Sequence, residues 1–273
     1  MKRTLLKMFI FLALLMPSAL YAQKIFNANK GGTSQKKYFT TIPYKEVKTK
    51  VIIQCFINSK PYNFIVDTGA VTAISPALYK ELNLKVVNKV SISDISGKLD
   101  SLQMVSLNNI KLGNITFNNI PTVVAKDFQL FECFKVDGFI GSNLLRNSIV
   151  QFASQTHTLT ITDVPKQLDL KGKAAIKMIT DPSQSNPYIN IDILNGKDTV
   201  TEELLFDSGS DSFYDISYKN FKEIQTVSQL KIEAQAVGSY SLGLYGPSDE
   251  EENYRILIPE LKLNGYTFKN VPP

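Results

Sequence analysis

Two aspartates stand in the same local setting, 140 residues apart: Asp67 in Phe64-Ile65-Val66-Asp67-Thr68-Gly69-Ala70 and Asp207 in Leu204-Leu205-Phe206-Asp207-Ser208-Gly209-Ser210. In each, an apolar run ends in Asp, a small hydroxyl residue and Gly, the pattern of a buried strand delivering a carboxylate into a tight turn. Two carboxylates brought close together cannot both ionise cheaply, so such a pair retains one shared proton over a wide pH range. One member is then base and the other acid. The charged group takes a proton from a water between them while the neutral one polarises a carbonyl, giving hydrolysis without a covalent intermediate. Gly69 and Gly209 allow the backbone to turn sharply and the two loops to approach closely. A single Asp-Ser/Thr-Gly is most often an Asx-turn at a strand end, but two copies in matching context favour the catalytic role.

The flanking sequence supplies that context. After the first triplet, Ile74-Ser75-Pro76 opens a short helical stretch over 77–82, with Ser75 placed as N-cap and Pro76 as first helical residue. After the second, Ile216-Ser217 opens 218–224 on the same plan, with a lead two residues longer. Further on, 110–121 and 261–272 are both an apolar strand, a turn built on Gly113-Asn114 or Asn264-Gly265, and a second strand. The chain therefore reads as an internal duplication. The hairpins are 151 residues apart, which places eleven additional residues in the second copy, assigned to the polar stretch 244–253. Short strands rich in Val, Ile, Thr and Phe, broken by Gly, Asn and Pro, predict two all-β lobes with the site between them.

The combination resembles the aspartic proteases of the pepsin and retropepsin type, in a single-chain form with two homologous retropepsin-like β-barrel lobes and a cleft between them. The residues that carry the resemblance are Asp67-Thr68-Gly69-Ala70, Asp207-Ser208-Gly209-Ser210 and Asp137-Gly138-Phe139-Ile140-Gly141, the last similar to the apolar-apolar-Gly element that supports the catalytic loop in that family. The resemblance spans roughly residues 45–273. It implies an aspartic endopeptidase with Asp67 and Asp207 as catalytic dyad and a peptide or protein as substrate. It also implies that Thr68 and Ser208 bridge the two loops through their hydroxyls, that Ile140 and Gly141 support the first loop, and that no cofactor or metal is required. A flap hairpin in this family controls access; Asp94, Ser96 and Gly97 lie in the candidate, residues 92–98, with 238–243 as its second-lobe partner. No tyrosine stands in the first candidate, as in the retropepsin type. Ala70, where many pepsins carry a hydroxyl, points to a pH optimum less acid than pepsin's. The competing role is a non-catalytic peptide-binding envelope protein that keeps the protease fold and takes an extended peptide by strand addition.

Residues 1–22 have Lys2, Arg3 and Lys7 ahead of an apolar run and end on small residues, the form of a secretory signal peptide. Export to the periplasm or exterior follows, without a lipid-anchored Cys near the expected cleavage point. The apolar core is short for a membrane span, and none is expected later in the chain. Without the leader, 27 basic residues face 25 acidic ones, so there is no electrostatic case for nucleic acid. Residues 23–45 read as a mobile lead-in, 46–165 as the first lobe and 166–273 as the second. His157 is the only histidine and sits in a polar turn, which leaves no zinc cluster and no supported Ser-His-Asp triad. Asp137 and Asp163 read as turn and strand-end residues. Cys55 and Cys133 allow one disulfide in an oxidising compartment or a free Cys133 thiol near the support loop, and the reading preferred is two buried small residues, since an exported protein of this size needs no staple.

The first copy continues past Pro121 through Phe139-Ile140-Gly141, whereas the second has no counterpart before Pro273. The second lobe is thus expected to be incomplete at its C-terminal end, by truncation in preference to decay. The monomer would have pseudo-two-fold lobes, or a dimer would form if another chain completes the second one.

Overall fold

The computed structural model describes residues 27–93, 98–126, 129–211, 214–216, 218–228, 230–239, 242–243 and 246–271. The first lobe runs β1 (Phe39–Val47), β2 (Lys50–Ile57), β3 (Lys60–Asp67), β4 (Ala73–Ile74), α1 (Pro76–Glu81), β5 (Val86–Ser93), β6 (Leu99–Leu107), β7 (Ile110–Leu112), β8 (Ile115–Phe117), β9 (Ile120–Val124), α2 (Gln129–Phe134), β10 (Gly138–Gly141), α3 (Ser142–Leu145), β11 (Ile149–Ala153) and β12 (Thr158–Thr162). The second continues through β13 (Met178–Thr180), β14 (Pro187–Asn195), β15 (Asp198–Leu205), α4 (Tyr218–Ser228), β16 (Lys231–Gly238), β17 (Leu242–Gly243), β18 (Gly246–Pro247), β19 (Glu251–Leu263) and β20 (Tyr266–Val271).

Sequence pattern accounts for the strands that matter to the site. In β1 Thr40, Ile42 and Tyr44 face inward in strict alternation. In β3 the alternation gives way to the buried run Phe64-Ile65-Val66, because β2 flanks it on one edge, β10 lies parallel on the other, and both faces are covered. Helix α1 starts where its sequence predicts: Ser75 Oγ accepts the Leu78 amide at 3.1 Å and Pro76 occupies the first turn. The first-lobe sheet has the order β11-β12-β1-β2-β3-β10-β4-β9-β6-β5, with the β7–β8 hairpin on β2. The second has the order β13-β14-β19-β16, with β15 on β14 and β20 on β19. The fold is all-β in two lobes, and among the described residues these pairings do not close into a ring.

The predicted hairpins 110–121 and 261–272 are present as β7–β8 and β19–β20, although Pro272 and Pro273 lie outside the described residues. Of the stretch 244–253, the described residues include β18 and the start of β19. Residues 1–22 of the expected leader, Asp94, Ser96 and Gly97 of the candidate flap, and Tyr240 and Ser241 of its expected partner lie outside the described residues. No described helix is long and apolar enough to cross a membrane.

Two expectations are corrected. The stretch 23–45 is not a loose lead-in over its described part: β1 begins at Phe39, its residues 39–43 pair with β12, and Ala28 and Tyr38 are buried. Of the two cysteines only Cys55 is buried; Cys133 is exposed on α2, where a helix this short turns one side to solvent, and both thiols are free.

Candidate active site

Asp67 ends β3, Asp207 follows β15 by two residues, and each is fixed by its own turn. Gly69 N–H donates to Asp67 Oδ1 at 3.0 Å, and Gly209 N–H donates to Asp207 Oδ1 at 2.7 Å. Ala70 N–H and Ser210 N–H close the same turns on the carbonyls of Asp67 and Asp207, at 3.4 and 3.3 Å. The two turns face each other. A Cβ added to Gly69 would stand 2.5 Å from Asp207 Cγ, and one added to Gly209 would stand 2.6 Å from Asp67 Cγ. Only glycine permits that approach, so the Asp-Thr/Ser-Gly pattern is a packing requirement of the facing loops.

The hydroxyl residues lock the loops together. Thr68 Oγ1 accepts Ser208 N–H at 2.9 Å and donates to Phe206 O at 2.6 Å. Reciprocally, Ser208 Oγ accepts Thr68 N–H at 3.1 Å and donates to Val66 O at 2.9 Å. Each hydroxyl uses its donor and an acceptor lone pair, so four bonds cross between the lobes at the floor of the site.

The environment separates the carboxyls from ordinary surface acids. Asp67 keeps a partly exposed edge, yet its carboxyl is surrounded by protein and is pushed up to about 7. Burial is the largest cause, followed by the charge of Asp207 and a hydrogen bond with it; Gly69 N–H and the Lys50 ammonium pull in the other direction.

Behind the first loop lies the support that the apolar-apolar-Gly pattern predicts. Ile140 and Gly141 run parallel to Val66 and Asp67, and Gly141 packs directly against the backbone of Ala70, Val71 and Thr72. Ser142 N–H donates to Ala70 O at 3.0 Å, and Ser142 Oγ donates to Thr68 O. Asn143, fully buried, accepts both Thr72 N–H and Thr72 Oγ1–H at 2.8 Å and donates to Pro121 O at 2.8 Å. Ser142 and Asn143 escaped the sequence reading, although they directly follow Gly141. Asp137 is structural: its Oδ2 accepts Asn63 N–H at 2.9 Å.

Contacts from each lobe to the opposite loop were also not foreseen. Asn186 of the second lobe donates through Nδ2 to Gly69 O at 2.5 Å, and Lys50 of the first donates through Nζ to Gly209 O. Lys50 also pairs with Asp211 Oδ1 at 2.5 Å, and Thr49 Oγ1 donates to the same oxygen at 2.7 Å. Burial opposes ionisation of Asp211, but these two bonds and the ammonium hold its carboxyl below the ordinary range. No local pattern marks Lys50 or Asn186.

An aspartyl protease family model matches residues 53–144, the part that contains Asp67 and its support strand. Ninety-nine solved chains match; one is a retropepsin-like aspartic protease from Rickettsia conorii, 19% identical, covering 46% of this chain and 94% of that one, with a TM-score of 0.34. No curated protein matches the chain.

Proposed function

We propose, from the match of residues 53–144 to an aspartyl protease family model, that the chain is an endopeptidase whose acid and base are Asp67 and Asp207. The observation that carries this is the mirrored approach of the two Asp-Thr/Ser-Gly turns, each carboxylate against the other loop's glycine.

A pair sharing one proton divides the work. Asp67, whose carboxyl is raised to about 7, holds the proton in mild acid and donates it to the oxygen of the scissile carbonyl. Asp207 takes a proton from the attacking water as oxygen bonds to carbon. The resulting tetrahedral diol collapses when Asp207 passes that proton to the departing nitrogen and one diol hydroxyl returns its proton to Asp67; the carbon–nitrogen bond breaks, leaving a carboxylic acid, an amine and the pair with its one shared proton. The sign of the Asp67 shift sets the pH dependence: activity falls on the alkaline side as the shared proton is lost near neutrality, which supports an optimum less acid than pepsin's. The substrate is an extended peptide in the cleft, and the leader assigned to 1–22 would send the enzyme to the periplasm or exterior.

The test is cleavage of an unbiased peptide library between mild acid and neutral pH by the chain and by its Asp67→Asn and Asp207→Asn variants. Each substitution is expected to lower kcat/KM by about a thousandfold or more, because either one removes half of a unit that works only as a pair. A wild-type chain that binds library peptides but cuts none would replace the enzyme by the peptide-binding module.

A further inference from the structure

The β1–β2 turn puts a lysine where the fold has reason to avoid one. Its central residues, Lys48 and Thr49, both have left-handed backbones, with φ of 46° and 71°, although neither is glycine. The turn delivers Lys50 to the start of β2 with its side chain only 9% exposed. Buried ammonium groups are costly unless paired and hydrogen-bonded, and this one is spent on the second catalytic loop: it donates to Gly209 O and to Asp211 Oδ1.

Gly209 is also the residue whose N–H donates to Asp207 Oδ1, and whose Cα faces Asp67. Lys50 therefore grips one end of the residue that touches both carboxyls. In the other loop the equivalent carbonyl, Gly69 O, is held by the neutral amide of Asn186. The two loops are matched in geometry but not in charge. Resting on the dyad assignment above, we infer that Lys50 is a positioning residue of the Asp67–Asp207 pair: its ammonium clamps the second loop to the first lobe and supplies a positive charge beside the carboxyls, biasing the pair toward its singly ionised form.

Among the described residues, Lys50 from β2 bears on the pair directly, Asp211 from the second loop pairs with Lys50, and Lys48 from the β1–β2 turn acts on Asp211. Asp211 only partly cancels Lys50, because its side chain is 67% exposed and screened by water. The uncompensated part of the field falls on the dyad.

The deciding experiment is a carboxyl carbon NMR titration of the two aspartates in the full chain, assigned with Asp67→Asn and Asp207→Asn, run beside a pH profile of peptide cleavage. Lys50→Gln is expected to move the midpoints of the pair upward by about one pH unit and to lower kcat/KM by about tenfold to a hundredfold. Lys50→Arg should restore the midpoints. Asn186→Ala, which removes the neutral counterpart, should weaken activity and leave the midpoints unmoved. If Lys50→Gln does not fold, Asp211→Asn on the exposed partner takes its place; it strips a negative charge and leaves the ammonium uncompensated, so the midpoints should move down. Midpoints that stay at the wild-type values in the folded Lys50 variant, or in Asp211→Asn, overturn the inference and leave Lys50 a purely structural tie. A wild type that cuts no peptide would sink the protease assignment, while the titration still decides the role of Lys50.

Discussion

Strand β3 carries Asp67 between two partners, β2 and β10, and the residue before the aspartate, Val66, is fully buried. Strand β15 carries Asp207 with β14 alone beside it among the described residues, and Phe206 at the matching position is 51% exposed. Yet the two turns that follow have the same bonds at nearly the same lengths. With one strand beside it among the described residues where the first loop has two, the second loop keeps the same geometry. The Thr68–Ser208 exchange, the Lys50–Gly209 bond and the Thr49 and Lys50 contacts to Asp211 all reach over to it from the first lobe. Geometry at Asp67 is set locally; geometry at Asp207 is set across the interface.

The largest expected effect breaks the local side of this contrast. Asn143→Ala would leave Thr72 N–H, Thr72 Oγ1 and Pro121 O without their buried partner. Each unsatisfied buried group costs roughly 1–3 kcal/mol, and with relaxation the sum should be about 3 kcal/mol. Thermal unfolding of the variant should show that loss together with lowered activity, since Thr72 leads directly from the Asp67 turn. A melting temperature within a degree of wild type would show that the first loop does not depend on its backing.

A smaller effect sharpens the contrast. Val66→Ala should destabilise by about 2 kcal/mol through the methyl groups removed from a packed core. Phe206→Ala should cost about 1 kcal/mol or less, because half of the ring already faces solvent. The comparison is read in urea unfolding of both variants. Equal losses would mean that another segment or chain covers Phe206 in solution.

What the sequence made legible follows from how local each signal is. The Asp-Thr-Gly and Asp-Ser-Gly turns, the Ser75 cap and the two Gly/Asn hairpins are written in consecutive residues and are found where expected. The cross-lobe donors are not, because nothing near Lys50 or Asn186 announces a carbonyl 159 or 117 residues away. Strand β1 was missed for a different reason. Pro43 interrupts a stretch that otherwise alternates cleanly, and proline is unwelcome inside a sheet. It is tolerated because β1 changes partner there: residues up to Pro43 pair with β12, and from Tyr44 onward with β2, so no interior ladder loses a donor.

The last effect concerns the proton itself and has a definite sign. The folded chain raises Asp67 from the ordinary 3.8 to about 7, so it binds a proton more tightly than the unfolded chain does. Below about pH 4 both states hold that proton and the site has no linkage to folding. Between there and about pH 7 the unfolded chain releases it while the folded chain keeps it, so stability declines as pH rises; above about 7 the decline is complete. Asparagine has no such proton to lose. Asp67→Asn should therefore melt above wild type at about pH 8, by roughly 1–2 kcal/mol once screening at the exposed edge is allowed for. The gap should close toward pH 4, where a protonated aspartate and an asparagine are nearly the same group. Activity and stability would then part at one residue. A gap that persists unchanged in acid would place the strain in the packing of the two loops, with no part of it in the shared proton.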